Sequence, residues 1–274
     1  MDTSQKHLNP KDMNVVSIGA GNLAASLIPA LHESGNKIEQ VYSRTIGAAA
    51  TLAATVDATA VDDINRICTT ADIYIISVTD TALPHVAGQL AGHLESKAQK
   101  DKPAPLIVHT AGSVSIDVIP AMHRGVIYPM QTFSKQRRVD FSQIPVFVEA
   151  TSRDDEQLLV DLSETISADV RTLNSSDRRY LHLAAVFCSN FTNHCYALAE
   201  EILANHGISF NLMLPLIDEV TAKVHHLNPQ KAQTGPAARH DKAVVQAHID
   251  LLADQPHIQH IYKLMSESIA HDKL

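Results

Sequence analysis

Tryptophan is absent from these 274 residues, and cysteine occurs three times, as Cys68, Cys188 and Cys195. Three thiols cannot build the disulfide framework of a small secreted domain. Cys188 and Cys195 fall on one expected helix, where apolar packing is the expected use. A reducing, cytoplasmic setting follows as an expectation. No apolar run reaches the length of a membrane span, and Met1 to Asp12 is polar without the apolar core of a signal peptide. Cations are scarce too: 22 Lys and Arg stand against 30 Asp and Glu, for a net charge of -8. Being dispersed, they form no basic stripe for a phosphate backbone, so nucleic acid is not an expected partner, and neither is a membrane. A small anion would have to be held by a few local side chains.

Sixteen histidines invite a metal reading. The spacings do not support one: His225 and His226 are adjacent, His257 and His260 lie in a polar tail, and no Cys or carboxylate completes a ligand set. Surface histidines are expected instead. The length exceeds one typical domain and predicts two, drawn at 1–173 and 174–274.

The organising stretch is Val15-Val16-Ser17-Ile18-Gly19-Ala20-Gly21-Asn22-Leu23-Ala24. A short β-branched run reads as a buried parallel strand, and the apolar periodicity from Leu23 to Leu31 reads as a helix. Between them, Gly19 permits a tight turn, Gly21 lets a pyrophosphate approach the backbone, and Ala24 lets helix and strand pack closely. Free N–H groups at Asn22 and Leu23 would then face phosphates at the positive end of the helix dipole. Taken alone, G-x-G-x-x-A also fits a bare tight turn. Its place at the first strand, with a second βα unit behind it, favours dinucleotide binding.

Ile38 to Tyr42 reads as the second strand and delivers Ser43-Arg44-Thr45. NAD-binding sheets usually place an acid near this point to grip the ribose 2′-hydroxyl, whereas an Arg accommodates a 2′-phosphate. Here the acid is missing, and an Arg between two hydroxyls suits a phosphate monoester. An ordinary polar loop is the bland alternative; the selectivity rule favours NADP(H).

Ile73 to Val78 is a continuous apolar run typical of a strand covered on both faces. Since ligands lie outside the carboxyl ends of such strands, Ser77, Val78 and Asp80 become expected cofactor neighbours. Asp80 could equally cap the helix expected over 82–94. Glu95 to Pro105 reads as a surface loop. Leu106 to Val108 resumes the sheet and ends in His109-Thr110-Ala111-Gly112-Ser113, which should border the nicotinamide. His109 and Thr110 are therefore cofactor candidates; His109 is either an acid or base or, more commonly for such a position, a histidine satisfied by backbone. Two more strands, Gly125 to Tyr128 and Pro145 to Val148, flank Tyr128 to Lys135, where Gln131 and Thr132 are substrate candidates.

Beyond Ser175 the β character disappears. Arg178 to Asn205 reads as one long helix stopped by Gly207. At about 100° per residue, Ser189 and Asn193 lie roughly 20° to either side of His182, a polar line that either faces solvent or lines a cleft. Cys188, Phe191 and Cys195 fall on the opposite, core-like side. Further helices are expected over 211–226, 243–252 and 258–270. Pro236 suits a first helical turn capped by Thr234 or Gly235. Such a start, with Arg239 one turn in, is either an anion site or merely a capped helix.

On these residues, together with Tyr42-Ser43-Arg44-Thr45, Tyr128-Pro129-Met130-Gln131-Thr132-Phe133 and Thr234-Gly235-Pro236-Ala237-Ala238-Arg239, the chain resembles a family of NADP oxidoreductases whose C-terminal part is a domain of unknown function. That family is related in architecture to pyrroline-5-carboxylate reductases, deazaflavin-dependent NADP reductases and the 6-phosphogluconate dehydrogenase group. The resemblance implies an α/β Rossmann-like, mostly parallel sheet followed by an all-α C-terminal domain that forms a homodimer. It also implies substrate contacts at a Pro-Gly-rich helix start, which Thr234-Gly235-Pro236 resembles, although the sequence after it differs; Arg239, one turn in, is the expected anchor for an acidic substrate group. The 6-phosphogluconate group carries a Lys on the long helix; this chain offers His182.

The expected activity is hydride transfer between NADPH and a small C=O or C=N substrate, with His182, Ser189 and Asn193 as catalytic residues and His182 as proton donor, a role suited to imidazole. A non-catalytic NADP-binding sensor or assembly protein is the alternative from another class. A methyltransferase on a similar glycine turn fits less well, because the acidic ribose grip is absent.

Overall fold

Strands alternate with helices in the first half of the chain because β-branched runs buried on both faces alternate with segments apolar on one face only. The computed structural model describes residues 9–10, 12–98 and 104–271. The polar N-terminal stretch up to residue 8, and the middle of the loop expected over 95–105, lie outside the described residues. The strands are β1 (Asn14–Ile18), β2 (Lys37–Tyr42), β3 (Thr59–Val61), β4 (Ile73–Ile76), β5 (Leu106–His109), β6 (Arg124–Pro129), β7 (Val146–Ala150) and β8 (Val170–Thr172). Helices α1 (Ala24–Glu33), α2 (Ile46–Ala53), α3 (Leu83–Ser96) and α4 (Arg153–Glu164) cover them.

The order in the sheet is β3-β2-β1-β4-β5-β6-β7-β8. Strands β1 to β6 run parallel, β7 is antiparallel to β6, and β8 is parallel to β7. The order reverses between β1 and β4, the switch point at which open α/β sheets bind nucleotides. Register makes this edge even: Ile18 pairs with both Tyr42 and Ile76, Tyr42 with Val61, and Ile76 with His109. The carboxyl ends of five strands therefore stop on one line. Side chains alternate between two cores, with Val15, Ile73, Ile75 and Val108 on one face and Val16, Ile18, Tyr74, Ile76 and Ile107 on the other.

The sequence reading does not extend to α4 and β8. The helix is largely acidic, and only Leu159 and Leu162 are buried among its large apolar residues; its short apolar stripe is a faint periodic signal. Strand β8 is three residues long with an exposed Arg and Thr, and it exists because β7 offers an edge to pair with.

Helix α5 (Ser175–Val186) is followed by a π-helical turn, Phe187–Phe191, and by α6 (Thr192–Ala204). The chain divides into two compact units, Met1–Ser189 and Asn190–Leu274. The division thus lies inside the π-turn and later than the expected 173/174 boundary. Contacts of α5 with the sheet explain the difference: Arg178 is fully buried, and Leu181 packs on a cluster containing Val126, Tyr128 and Phe147.

The second unit is helical. Besides α6 it holds α7 (Leu214–His226), α8 (Pro229–Ala232), α9 (Lys242–Leu251) and α10 (Pro256–His271). Its buried core consists of Leu198, Leu252 and Ile258, with Ile202, Ile261 and Tyr262 packed around them. Among the described residues no helix is long and apolar enough to cross a membrane.

Candidate active site

The first glycine turn is dictated by a close approach. Gly19 follows β1 with φ +122°, and a Cβ there would stand 2.2 Å from the Ser77 carbonyl oxygen. No other residue fits without pushing β1 and β4 apart. Gly21 lies in the open, with only that same oxygen at 4.0 Å from an added Cβ. Ala24, fully buried, seats α1 against the strand. No side chain caps this helix, and among the described residues the amides of Asn22, Leu23 and Ala24 have no backbone acceptor. Donors at a helix start beside a bare glycine form a concavity suited to a pyrophosphate.

At the end of β2, Ser43 is half-buried, Arg44 and Thr45 are exposed, and α2 begins at Ile46. The Thr45 amide donates to Ser43 Oγ across 3.3 Å. Among the described residues no carboxylate pairs with Arg44. At the end of β4, Ser77 is buried and Val78 half-buried, and the Thr110 hydroxyl donates to Ser77 Oγ across 3.3 Å. Asp80 does not cap α3, whose start has no side-chain cap; instead it accepts a hydrogen bond from Ser113 Oγ. That bond ties the ends of β4 and β5.

For His109 the structure shows the alternative of a histidine satisfied by backbone. It is fully buried, its Nδ1 accepts from the Ala111 amide at 3.1 Å, and its Nε2 lies 3.3 Å from the Ser115 carbonyl. Burial, seconded by the charge of Arg178, pushes its pKa down to about 4. A neutral imidazole with both nitrogens occupied by backbone shapes the loop, and it also shows that the histidines are not all at the surface.

His182 does come to the strand ends. Its Nδ1 lies 3.1 Å from the Tyr128 hydroxyl, with the two rings edge-on at 6.0 Å. It also closes on Gly112, where an added Cβ would be 2.6 Å from Nδ1 and 2.9 Å from the Tyr128 ring. Burial raises the Tyr128 pKa, with Arg178 opposing and Asp80 adding, so the phenol keeps its proton. One helical turn before His182, Arg178 pairs with Glu149 of β7 and donates to the Val114 carbonyl at 2.6 Å and Ser175 Oγ at 3.1 Å. Ser175 Oγ in turn donates to Glu149 at 2.7 Å and accepts from the Ile116 amide at 3.0 Å. This network clamps the first turn of α5 to the loop that carries Gly112.

The straight polar line of His182, Ser189 and Asn193 is corrected by the π-turn, because a uniform 100° step does not run through wider i→i+5 turns. Ser189 Oγ donates to the Ala185 carbonyl at 2.7 Å, and Asn193 is exposed on α6. Cys188 and Cys195 are exposed and Phe191 is 49% exposed, so the core side expected for them is not found. Gln131 and Thr132 are exposed, the Gln131 side chain accepting from the Thr132 amide at 2.8 Å.

In the helical unit, neither Thr234 nor Gly235 caps a long helix. Pro236 opens a single 3-10 turn, Ala237–Arg239, which His240 ends with φ 55°. Helix α9 starts later and is capped by Asp241, which accepts from the Val244 amide at 3.2 Å. Asp241 caps it because it directly precedes the helix, whereas Thr234 and Gly235 precede the separate 3-10 turn. Gly235 has φ +108° and Arg239 is exposed.

Glu149 and Arg178 escape the sequence reading as site residues, and Gly112 and Tyr128 enter it only as members of longer stretches. Only Tyr128, at a strand end before Pro129, carries a local signal. The other three matter through partners distant in the chain.

Fold and strand ends together define a Rossmann-type nucleotide-binding protein with a helical C-terminal unit. Residues 14–102 match the family model described as NADP oxidoreductase, coenzyme F420-dependent, and residues 144–269 match a domain of unknown function. A solved structure from Bacteroides fragilis, named a putative NADP oxidoreductase, is 45% identical with a TM-score of 0.89, over 96% of this chain and 100% of that one. The chain belongs to this family of NADP oxidoreductases. Its fold also matches an imine reductase from Myxococcus stipitatus in complex with NADP+ (17% identity, TM-score 0.66, 94% and 93% covered) and a pyrroline-5-carboxylate reductase from Coxiella burnetii (12%, 0.56, 95% and 97%). Among curated protein sequences, no match is found.

Proposed function

We propose that this protein binds NADP(H) along the carboxyl ends of β1, β2, β4 and β5 and reduces a small carbonyl or imine, with His182 as the proton donor. The observation that carries the reading is the imidazole of His182 standing with Tyr128 over Gly112, on the sheet edge that also bears the Gly19 turn. The cradle fits the coenzyme: Gly19 is pinned against Ser77, Gly21 leaves open space, and the amides of Asn22 and Leu23 are free for phosphate oxygens. Ser43, Arg44 and Thr45 would hold the 2′-phosphate. Ser77, Val78, Asp80 and Thr110 would border the rest of the coenzyme at the ends of β4 and β5.

Bound there, the reduced nicotinamide supplies a hydride to the electrophilic carbon. His182 gives a proton to the substrate oxygen or nitrogen as that atom gains charge, so the product is an alcohol or amine. In the first unit, Gln131 and Thr132 are proposed substrate contacts and Ser189 an accessory polar group; in the helical unit, Gly235 and Arg239 are proposed as an anion site and Asn193 as a polar group.

The test is coenzyme choice. With no tryptophan in the chain, nicotinamide fluorescence can be titrated without indole background. Wild type should prefer NADPH to NADH, and Arg44→Asp should erase a preference of about ten- to a hundredfold, the equivalent of lost charge-assisted hydrogen bonds. A retained preference would assign the phosphate to another cation. Binding of neither coenzyme would sink the redox reading.

We also propose a homodimer through the helical unit. Leu216, Val220 and Val224 lie four residues apart on one face of α7 and are at least half exposed, while α7 buries no residue at all. An apolar stripe of this kind beside a three-residue core favours a second copy as its cover. Light scattering should give twice the chain mass for wild type and the single mass for Val220→Asp; a wild-type monomer would remove the proposal.

A further inference from the structure

We infer that Tyr128 is a positioning residue that holds His182 in the neutral tautomer with its proton on Nε2. Both partners are anchored from outside the contact. Tyr128 sits at the end of β6, 8% exposed, with its ring 6.5 Å from that of Phe147. His182 lies one turn beyond Arg178, which is fully buried and bonded to Glu149, Val114 and Ser175. Gly112 borders both rings, and only a residue without a Cβ fits there, since an added Cβ would stand 2.6 Å from Nδ1 and 2.9 Å from the Tyr128 ring.

A neutral phenol carries one hydrogen that needs an acceptor, and among the described residues the His182 Nδ1 at 3.1 Å is the hydroxyl's hydrogen-bond partner. If Nδ1 carried the imidazole proton, it would donate to the phenolic oxygen instead, and the phenolic hydrogen would lose its partner in a mostly buried place. An unpaired buried hydroxyl is costly enough to bias the tautomers about tenfold or more. With Tyr128 donating to Nδ1, the proton moves to Nε2, since the bond made by one ring nitrogen sets the state of the other. Taken with the proposed function, on which this part rests, Nε2–H is the donor that meets the substrate oxygen or nitrogen as that atom gains charge.

The experiment is a two-bond proton–nitrogen correlation on the full-length chain labelled with 15N-histidine, the His182 signal being assigned by its loss in His182→Asn. Above the imidazole titration, wild type should show a protonated Nε2 and a bare Nδ1 at His182. Tyr128→Phe removes one oxygen and should move both nitrogens toward tautomer-averaged shifts. A protonated Nδ1 in wild type would overturn the inference, even if the Phe variant did not fold, and so would an unchanged pattern in the Phe variant. NADPH titration of wild type reads the coenzyme separately; failure there removes the redox role and leaves the tautomer assignment intact.

Discussion

Glu149→Ala should lower the unfolding free energy by about 3–5 kcal/mol, the usual cost of leaving a buried charge without its partner. The Arg178 side chain is 0% exposed and the Glu149 side chain 15%, so losing the carboxylate leaves the guanidinium short of a partner in a mostly buried place. Among the described residues Arg178 Nε has no hydrogen-bond partner, which leaves the guanidinium more dependent on its two Nη groups. The loss would be a large part of the total stability of a typical domain. Urea melts of wild type, Glu149→Ala, Arg178→Met and the double variant Glu149→Leu with Arg178→Met would complete the test. The apolar pair should recover much of the loss, because a buried ion pair is often no better than a packed hydrophobic one. If Glu149→Ala melts within about 1 kcal/mol of wild type, the first turn of α5 is not held by this pair, and the rigidity claimed for His182 goes with it.

The second large effect falls on turnover. His182→Ala should reduce NADPH consumption with a cyclic imine or small oxo-acid by about 10²–10⁴-fold, the range for a positioned general acid, while NADPH affinity holds. Affinity is expected to hold because the groups proposed for phosphate recognition, at Gly21, Asn22 and Arg44, are on other elements. Unchanged turnover would take His182 out of the mechanism and leave water or another side chain as the proton source. A rate that falls only because NADPH no longer binds would instead make His182 part of the coenzyme cradle. No turnover by wild type with any imine or oxo-acid, alongside tight NADPH binding, is the result that favours the sensor alternative.

What could be read in the sequence was local. The strand-glycine-helix turn at Gly19 and the Ser43-Arg44-Thr45 stretch were legible because backbone conformation and side-chain chemistry there are set by residues within one turn of each other. Continuous apolar runs marked β1, β4 and β5, since burial on both faces leaves no polar alternation. His109 was harder. Its place at a strand end drew attention, but only the folded loop, with Ala111 and Ser115 turned back on its ring, shows it to be structural.

Tertiary structure decided the rest. Tyr128 and His182 are 54 residues apart and Arg178 and Glu149 are 29 apart, so no periodicity connects them; packing of α5 on the sheet does. The π-turn at Phe187–Phe191 broke the even helical phase on which the three-residue polar line depended. Composition and pattern determine which segments become strands or helices, because those choices are made over a few bonds. Which polar groups meet at the strand ends is fixed only when distant segments pack, since a buried charge or hydroxyl takes whichever partner the fold brings to it.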